Sequence, residues 1–499
     1  LLFDKLQDKE HSMGNLRVKH FFSGSLLFFL FLLTWSTILR GQSMLDAVDR
    51  EDTVATSGQR LVFIDNIFIT GNKKTRPRII LRELSFEKGK AYPIEAIRGV
   101  LEVDRKKIYN TRLFNTVEVG MLELGYDKVD IVVKVTERWY LFPIPLIDII
   151  DRNFNDWWVN QNADLSRIIY GLSLYHFNMR GMNERMTLTA QFGYSRRYEF
   201  QYEFPYIDKS QQNGISLFAK YIEYTNLHYD NVENLRMFFD SESILKTNVF
   251  TGIDYIRRNS FYTRHFIEAR YSYSNIADTI IALNPNYLGI EGNLQQYFSL
   301  KYRFSHDMRD IVAYPLEGYK VEASVEKIGL GIFDDVDVTN FRANYAKYIK
   351  WPKGFYFSNY SSVYLSTPAN QPYSVVKGLG FRNDAIRGYE LYVIHGQHYF
   401  VNKTSLKKVL FSGMKEFHNF PVKQFTHFPY AIYLKTYFDM GYATNTNNYE
   451  GNRFLADQLL YGGGFGLDIV TMYDVVIRLE YSFNSIGESG FFLHIESEF

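Results

Sequence analysis

From about residue 139 onward the chain alternates. In "YFSLKYRFS", Phe298, Leu300, Tyr302 and Phe304 fall on one face, and Ser299, Lys301, Arg303 and Ser305 on the other. "FIEARYSYS" sets Ile267, Ala269, Tyr271 and Tyr273 against Glu268, Arg270 and Ser272. Successive side chains of a strand point to opposite faces, so each such segment has one apolar and one wet side. A soluble sandwich would alternate in the same way, with its apolar faces turned inward. Three features argue for a membrane instead. The segments run roughly ten residues, their apolar faces are rich in aromatic rings, and about sixteen follow one another in a single series. The pattern predicts an even-numbered transmembrane β-barrel over residues 139–499, apolar side out and polar side in.

Composition agrees. Aromatic residues make up 17%, from 39 Tyr, 42 Phe and 5 Trp, which suits lipid contact and interfacial girdles better than a soluble core. Net charge is +1, so no basic field points to nucleic acid. The sequence has no cysteine, which excludes disulfides, thiolate metal sites, a cysteine nucleophile and a lipid-anchoring thiol.

Ahead of the alternating region lie three shorter parts. Residues 1–43 read as upstream residues and a secretory signal. Residues 1–12 precede the first methionine and are expected to lie outside the translated protein. From Met13, basic Arg17 and Lys19 precede an apolar run from Phe21 to Trp35, too short for a spanning helix, and cleavage is expected. Residues 44–58 read as a linker. Residues 59–138 mix signals in the order β-α-α-β-β, a small α+β domain. "RLVFIDNIFITGN" is a strand stopped by Gly71-Asn72, Thr75 is placed as an N-cap ahead of Pro77, and Ile94, Ile97, Leu101 and Ile108 keep near-helical spacing. "FNTVEVGML" and "KVDIVVKVTER" close the domain as two strands.

No catalytic constellation appears. There is no Gly-x-Ser-x-Gly, no P-loop and no His-Glu-x-x-His, so we expect no enzyme and no cofactor. His395 and His398 form an isolated His-x-x-His, read as loop surface rather than a metal site.

One tetrapeptide stands out inside a connection of about thirty residues, a length that usually marks function or disorder. Ile386-Arg387-Gly388-Tyr389 lies in the loop 367–396, between the eleventh and twelfth predicted strands. "LKTYFDMGY" follows, where alternation turns Tyr437, Asp439 and Gly441 inward, so Asp439 is a lumen carboxylate that a guanidinium can grip. In "YGGGFGLDI" the same rule puts Gly462, Gly464 and Gly466 on one bare face, leaving room for a loop against the wall.

A small α+β domain ahead of a barrel, with these motifs, resembles the superfamily of outer-membrane assembly factors of the BamA and TamA type and two-partner secretion transporters. The resemblance implies a periplasmic POTRA domain before a sixteen-stranded surface-antigen barrel. It also implies a sixth extracellular loop folded into the lumen, with a (Val/Ile)-Arg-Gly-(Phe/Tyr) tip held by a Phe-x-Asp-x-Gly strand. Ile386 to Tyr389 match at all four tip positions, while Tyr437 replaces the strand motif's phenylalanine. A single POTRA-like domain departs from the several of BamA. Phe491, Leu493, Ile495 and Phe499 share a face of the last strand, which resembles the C-terminal signal of bacterial outer-membrane barrels. The strand from Asn115 to Leu122, with Val117 and Val119, is expected to capture extended clients, as the family's edge strands do.

The function implied is insertion of other barrels into the outer membrane of a Gram-negative bacterium. The partners implied are the lipid bilayer, unfolded β-barrel clients, and periplasmic chaperones or accessory lipoproteins. A secretion pore for an unfolded partner is the alternative, and a diffusion porin a third. Pro143 and Pro145 remove two N–H donors from the first barrel strand, which weakens its seam with the last.

Overall fold

The computed structural model describes residues 60–149, 165, 168–193, 195–333, 335–380, 384–416, 426–445 and 449–494. The signal and linker, and of the C-terminal face Ile495 and Phe499, lie outside the described residues.

The small domain runs β1 (Leu61–Thr70), α1 (Pro77–Leu81), β2 (Ala91–Pro93), α2 (Ile94–Tyr109), β3 (Phe114–Glu123) and β4 (Lys128–Glu137). Its sheet has the order β2-β1-β4-β3, with β1 parallel to β4 and β3 at one edge. Three-residue β2 was not expected, because so short a strand leaves no readable period. The helices are amphipathic for a plain reason: Ile79, Ile80, Ile94, Ile97 and Ile108 meet Val129, Ile131 and Val133 of β4 in one core. Thr75 does not cap α1. Arg76 occupies that position without a side-chain cap bond, while the Thr75 hydroxyl donates to Glu137 at 2.7 Å and its N–H at 2.6 Å. A carboxylate is the stronger acceptor and wins the threonine.

Sixteen strands then form one antiparallel meander. The first five are β5 (Leu141–Ile149), β6 (Ile168–Met179), β7 (Glu184–Gly193), β8 (Ser195–Phe204) and β9 (Asn213–Tyr224). A hairpin outside the sheet, β10 (Asn226–Val232) and β11 (Leu235–Asp240), leads to β12 (Lys246–Arg258) and β13 (Thr263–Ile276). After the short helix α3 (Asp278–Leu283) come β14 (Leu294–Asp307), β15 (Gly318–Ile328), β16 (Val338–Trp351) and β17 (Phe355–Thr367). The long loop holds a two-residue hairpin, β18 (Gly378–Leu379) with β19 (Ile394–His395). The series ends with β20 (His398–Glu416), β21 (His427–Ala443), β22 (Leu460–Val470), β23 (Val476–Asn484) and β24 (Ser489–His494).

The wall follows the alternation. Leu300, Tyr302, Leu434, Phe438, Phe465 and Phe483 are exposed on the outer face, while Ser299, Asp439 and Ser482 are buried inside. Apolar chains that find no core partner on the outside of a sixteen-stranded sheet are lipid-facing positions of a transmembrane β-barrel.

The start of β5 comes round to the far end of the series. Trp139 donates its N–H to the Tyr473 hydroxyl at 3.3 Å, and Phe142 lies edge-on to Tyr473, in the turn between β22 and β23. Yet among the described residues β5 and β24 do not pair. The Tyr140 carbonyl accepts the Phe177 N–H at 2.8 Å, and Leu141 faces His176 in register. Alternation from there aims the amide positions of Pro143 and Pro145 away from β6, toward that free edge.

The small domain is tied to the barrel turns at its end. Arg258, closing β12, holds Glu83 with two bonds of 2.7 and 2.8 Å, and Arg138 holds Asp474 at 2.9 and 3.3 Å. Asn178 donates to Thr75 at 2.8 Å, and Asn110 to the Asp310 carbonyl at 3.1 Å.

Candidate functional site

The long loop between β17 and β20 turns into the lumen. Ile386, Arg387 and Tyr389 are buried there. Arg387 meets Asp439 of β21 three ways: Nε to Oδ2 at 2.8 Å, Nη2 to Oδ1 at 2.5 Å, and its own backbone N–H to Oδ2 at 3.1 Å. The guanidinium also donates to the Ser405 hydroxyl of β20 at 3.2 Å and lies 3.9 Å above the Tyr437 ring. Planar fork, carboxylate and aromatic face together make a site that lysine cannot reproduce.

The flanking tip residues are seated separately. Asn484 of β23 donates to the Gly388 carbonyl at 2.7 Å, and the Tyr389 hydroxyl meets the Ser485 hydroxyl at 2.5 Å. Gly388 has φ +96°, and a Cβ there would meet the Phe483 carbonyl oxygen at 2.9 Å. Farther along, Tyr392 donates to Glu488 at 2.8 Å, and Asp384 binds Arg342 on β16.

The glycine row divides its work. Asp439, Tyr437 and Lys435 face Gly462, Gly464 and Gly466 across β22, which in turn face Asn484, Ser482 and Glu480 on β23. A Cβ at Gly462 would lie 2.1 Å from the Arg387 carbonyl oxygen, so this glycine makes room for the loop. Gly441 likewise clears the Ile386 side chain, at 2.6 Å. Gly464 and Gly466 do something else, contrary to expectation. They let side chains of β21 lie across β22: the Tyr437 hydroxyl reaches Ser482 at 2.7 Å, and Lys435 reaches Glu480 at 2.7 Å.

Sequence reasoning did not single out the charges beneath this anchor. Lys435 also holds Asp468 at 2.6 Å, Asp468 accepts from the Tyr314 hydroxyl at 2.8 Å, and Glu480 lies 3.6 Å from Arg387 and 3.8 Å from Arg478. Period two was the available signal, since Lys435 shares a face with Asp439, Asp468 with Gly466, and Glu480 with Ser482. The result is a buried, charge-balanced floor on which the loop tip rests.

The other expected residues fall elsewhere. Val117 is buried in the small domain's core and Val119 packs against it, on edge strand β3. Phe491 and Leu493 are exposed on β24. His395 corrects the surface reading of the His-x-x-His pair: it is buried in β19, its ring 5.0 Å from that of Tyr373 and its backbone N–H donated to the Asn452 side-chain oxygen at 3.0 Å. The loop's own fold buries it, which an isolated sequence pair does not reveal. Among the described residues no cluster suits a metal ion.

A family model described as "Surface antigen variable number repeat", POTRA, matches residues 62–138, and one described as "Omp85 superfamily domain" matches residues 178–483. No curated protein matches. Among solved structures, CdiB from Escherichia coli is 9% identical with a TM-score of 0.52, covering 87% of this chain and 75% of its own. BamA from Haemophilus ducreyi lacking POTRA domains 1–3 is 14% identical with a TM-score of 0.49, covering 87% of this chain and 83% of its own. The CdiB likeness is one of fold. The Omp85 model spans more than half of the 499 residues, and with its POTRA domain, sixteen strands and inserted loop the chain belongs to the Omp85 superfamily.

Proposed function

We propose that this chain is an assembly factor that inserts β-barrel clients into the outer membrane of a Gram-negative bacterium, with its POTRA domain in the periplasm. The observation that carries this is the seam. Strands β5 and β24 stand at the two ends of the sheet without pairing among the described residues, and β5 turns two proline positions toward the gap. An edge lacking those donors pairs weakly with β24, so it can open and template a client strand by main-chain hydrogen bonding. The Arg387–Asp439 anchor holds the loop against β20–β23, keeping the wall next to the seam rigid while the seam itself opens. The second edge, β3, supports the same reading as a place for extended clients to dock before insertion. The chain's part is templating rather than catalysis.

A secretion pore for one unfolded partner uses the same parts, and one experiment separates the two. The protein is depleted and the outer-membrane and secreted proteomes are measured. Broad loss of barrel proteins is the expected result. Loss of a single secreted protein, with barrels at normal levels, would replace this reading with transport.

A further inference from the structure

The lumen holds a cavity of about 1130 Å³ between the base of the inserted loop and the wall of β13 to β17. None of its lining residues belongs to the Arg387 cluster. Its wall is crowded with cations, and most of them have partners. Asp384 takes Arg342, Glu326 takes Arg270 at 3.0 Å, and Glu322 is shared by Arg303 and Lys320 at 3.2 and 2.9 Å. Arg309 turns to Asp307 at 2.7 Å.

Two ammonium groups remain. Lys301 stands between Glu268 and Glu326 in register, but Arg270 engages both carboxylates, at 3.5 and 3.0 Å. Lys377, on the loop, is exposed and lines the same cavity as Lys301, Arg270 and Arg342. Neither lysine has a carboxylate within ion-pair distance among the described residues. The same lining includes Ser324, which lies in register between Arg303 and Arg342.

We propose that this cavity binds a phosphate group, whose two negative charges match the two unpaired lysines. Lys377 and Lys301 grip its oxygens by charge-assisted hydrogen bonds, and Ser324 donates a third. A phosphate monoester fits as well as the free ion, because the cavity leaves room for the body that carries it. Once bound, the phosphate ties the loop to β14, on the side of the lumen away from the Arg387 anchor. This assignment holds whether the protein inserts clients or passes a partner through.

The test uses the full chain in neutral detergent. It is titrated calorimetrically with inorganic phosphate, and separately with neutral micelles doped with phosphatidic acid, with chloride at equal ionic strength as the blank. Saturable binding of inorganic phosphate identifies the free ion as a ligand. Saturation by the doped micelles alone identifies a lipid headgroup. Either supports the site if Lys377→Gln and Lys301→Gln each weaken it about tenfold, the cost of losing one charged hydrogen bond, while Lys134→Gln on the POTRA domain does not. Lys377 lies outside the strand ladder, so its variant decides the matter if Lys301→Gln fails to fold. Saturation in neither arm, or wild-type affinity in the Lys377→Gln variant, overturns the proposal.

Discussion

Arg387 is worth more to the loop than its one charge suggests, because Asp439, Ser405 and Tyr437 all lose a partner when it goes. Removing one member of a buried pair costs about 3–5 kcal/mol, since the other charge is stranded. Arg387→Ala and Asp439→Ala are therefore expected to retain the barrel, as heat-modifiable mobility on gels reports, but to lose hydrogen-exchange protection across the loop. The double variant is expected to be little worse than Arg387→Ala alone, because the pair with Asp439 is already lost in that single variant. Fully additive losses would mean the two residues act apart. A second route to the same state leaves both charges intact. Gly462→Val puts a side chain where the Arg387 carbonyl sits, 2.1 Å from the Cβ, so it is expected to unseat the loop as fully as Arg387→Ala. Wild-type protection in Gly462→Val would show that the tip is not pressed against β22.

At the scale of elements, edge strand β3 makes a separate prediction. Val119→Pro removes a backbone N–H from that strand, and is expected to reduce crosslinking of extended client peptides along it by several-fold, with circular dichroism unchanged. Crosslinking at the wild-type level would leave β3 without a docking role. The strands themselves were the most legible part of this chain. Alternation with aromatic outer faces identifies both the barrel and the inward side of each strand, because a period of two needs no knowledge of the neighbours. What stayed hidden depends on neighbours. Gly464 and Gly466 looked like space for a loop, but only the register of β21 and β23 shows that Tyr437 and Lys435 cross over them. Thr75 looked like a helix cap until Glu137, 62 positions away, proved the stronger acceptor. His395 is buried by a hairpin of two-residue strands, too short to leave a pattern.

For the whole molecule, the ties between the POTRA domain and the barrel join residues 175 and 336 positions apart, Glu83 with Arg258 and Arg138 with Asp474. No local pattern encodes such pairs. Both are bidentate and largely buried, so Glu83→Ala with Asp474→Ala is expected to free the domain, seen as faster proteolysis between residues 138 and 141 with the barrel intact. Insertion through this molecule turns on the seam, and the absence of cysteine from the sequence lets the seam be locked at will. Pairs of cysteines, one introduced on β5 at Ile147 and one on β24 at Phe491 or Leu493, all on the outward face, are oxidised in the membrane. Insertion of a barrel client is then measured before and after reduction. A crosslinked seam is expected to stop insertion, and reductant to restore it. Insertion at the full rate through a seam shown to be crosslinked would contradict this role of the seam.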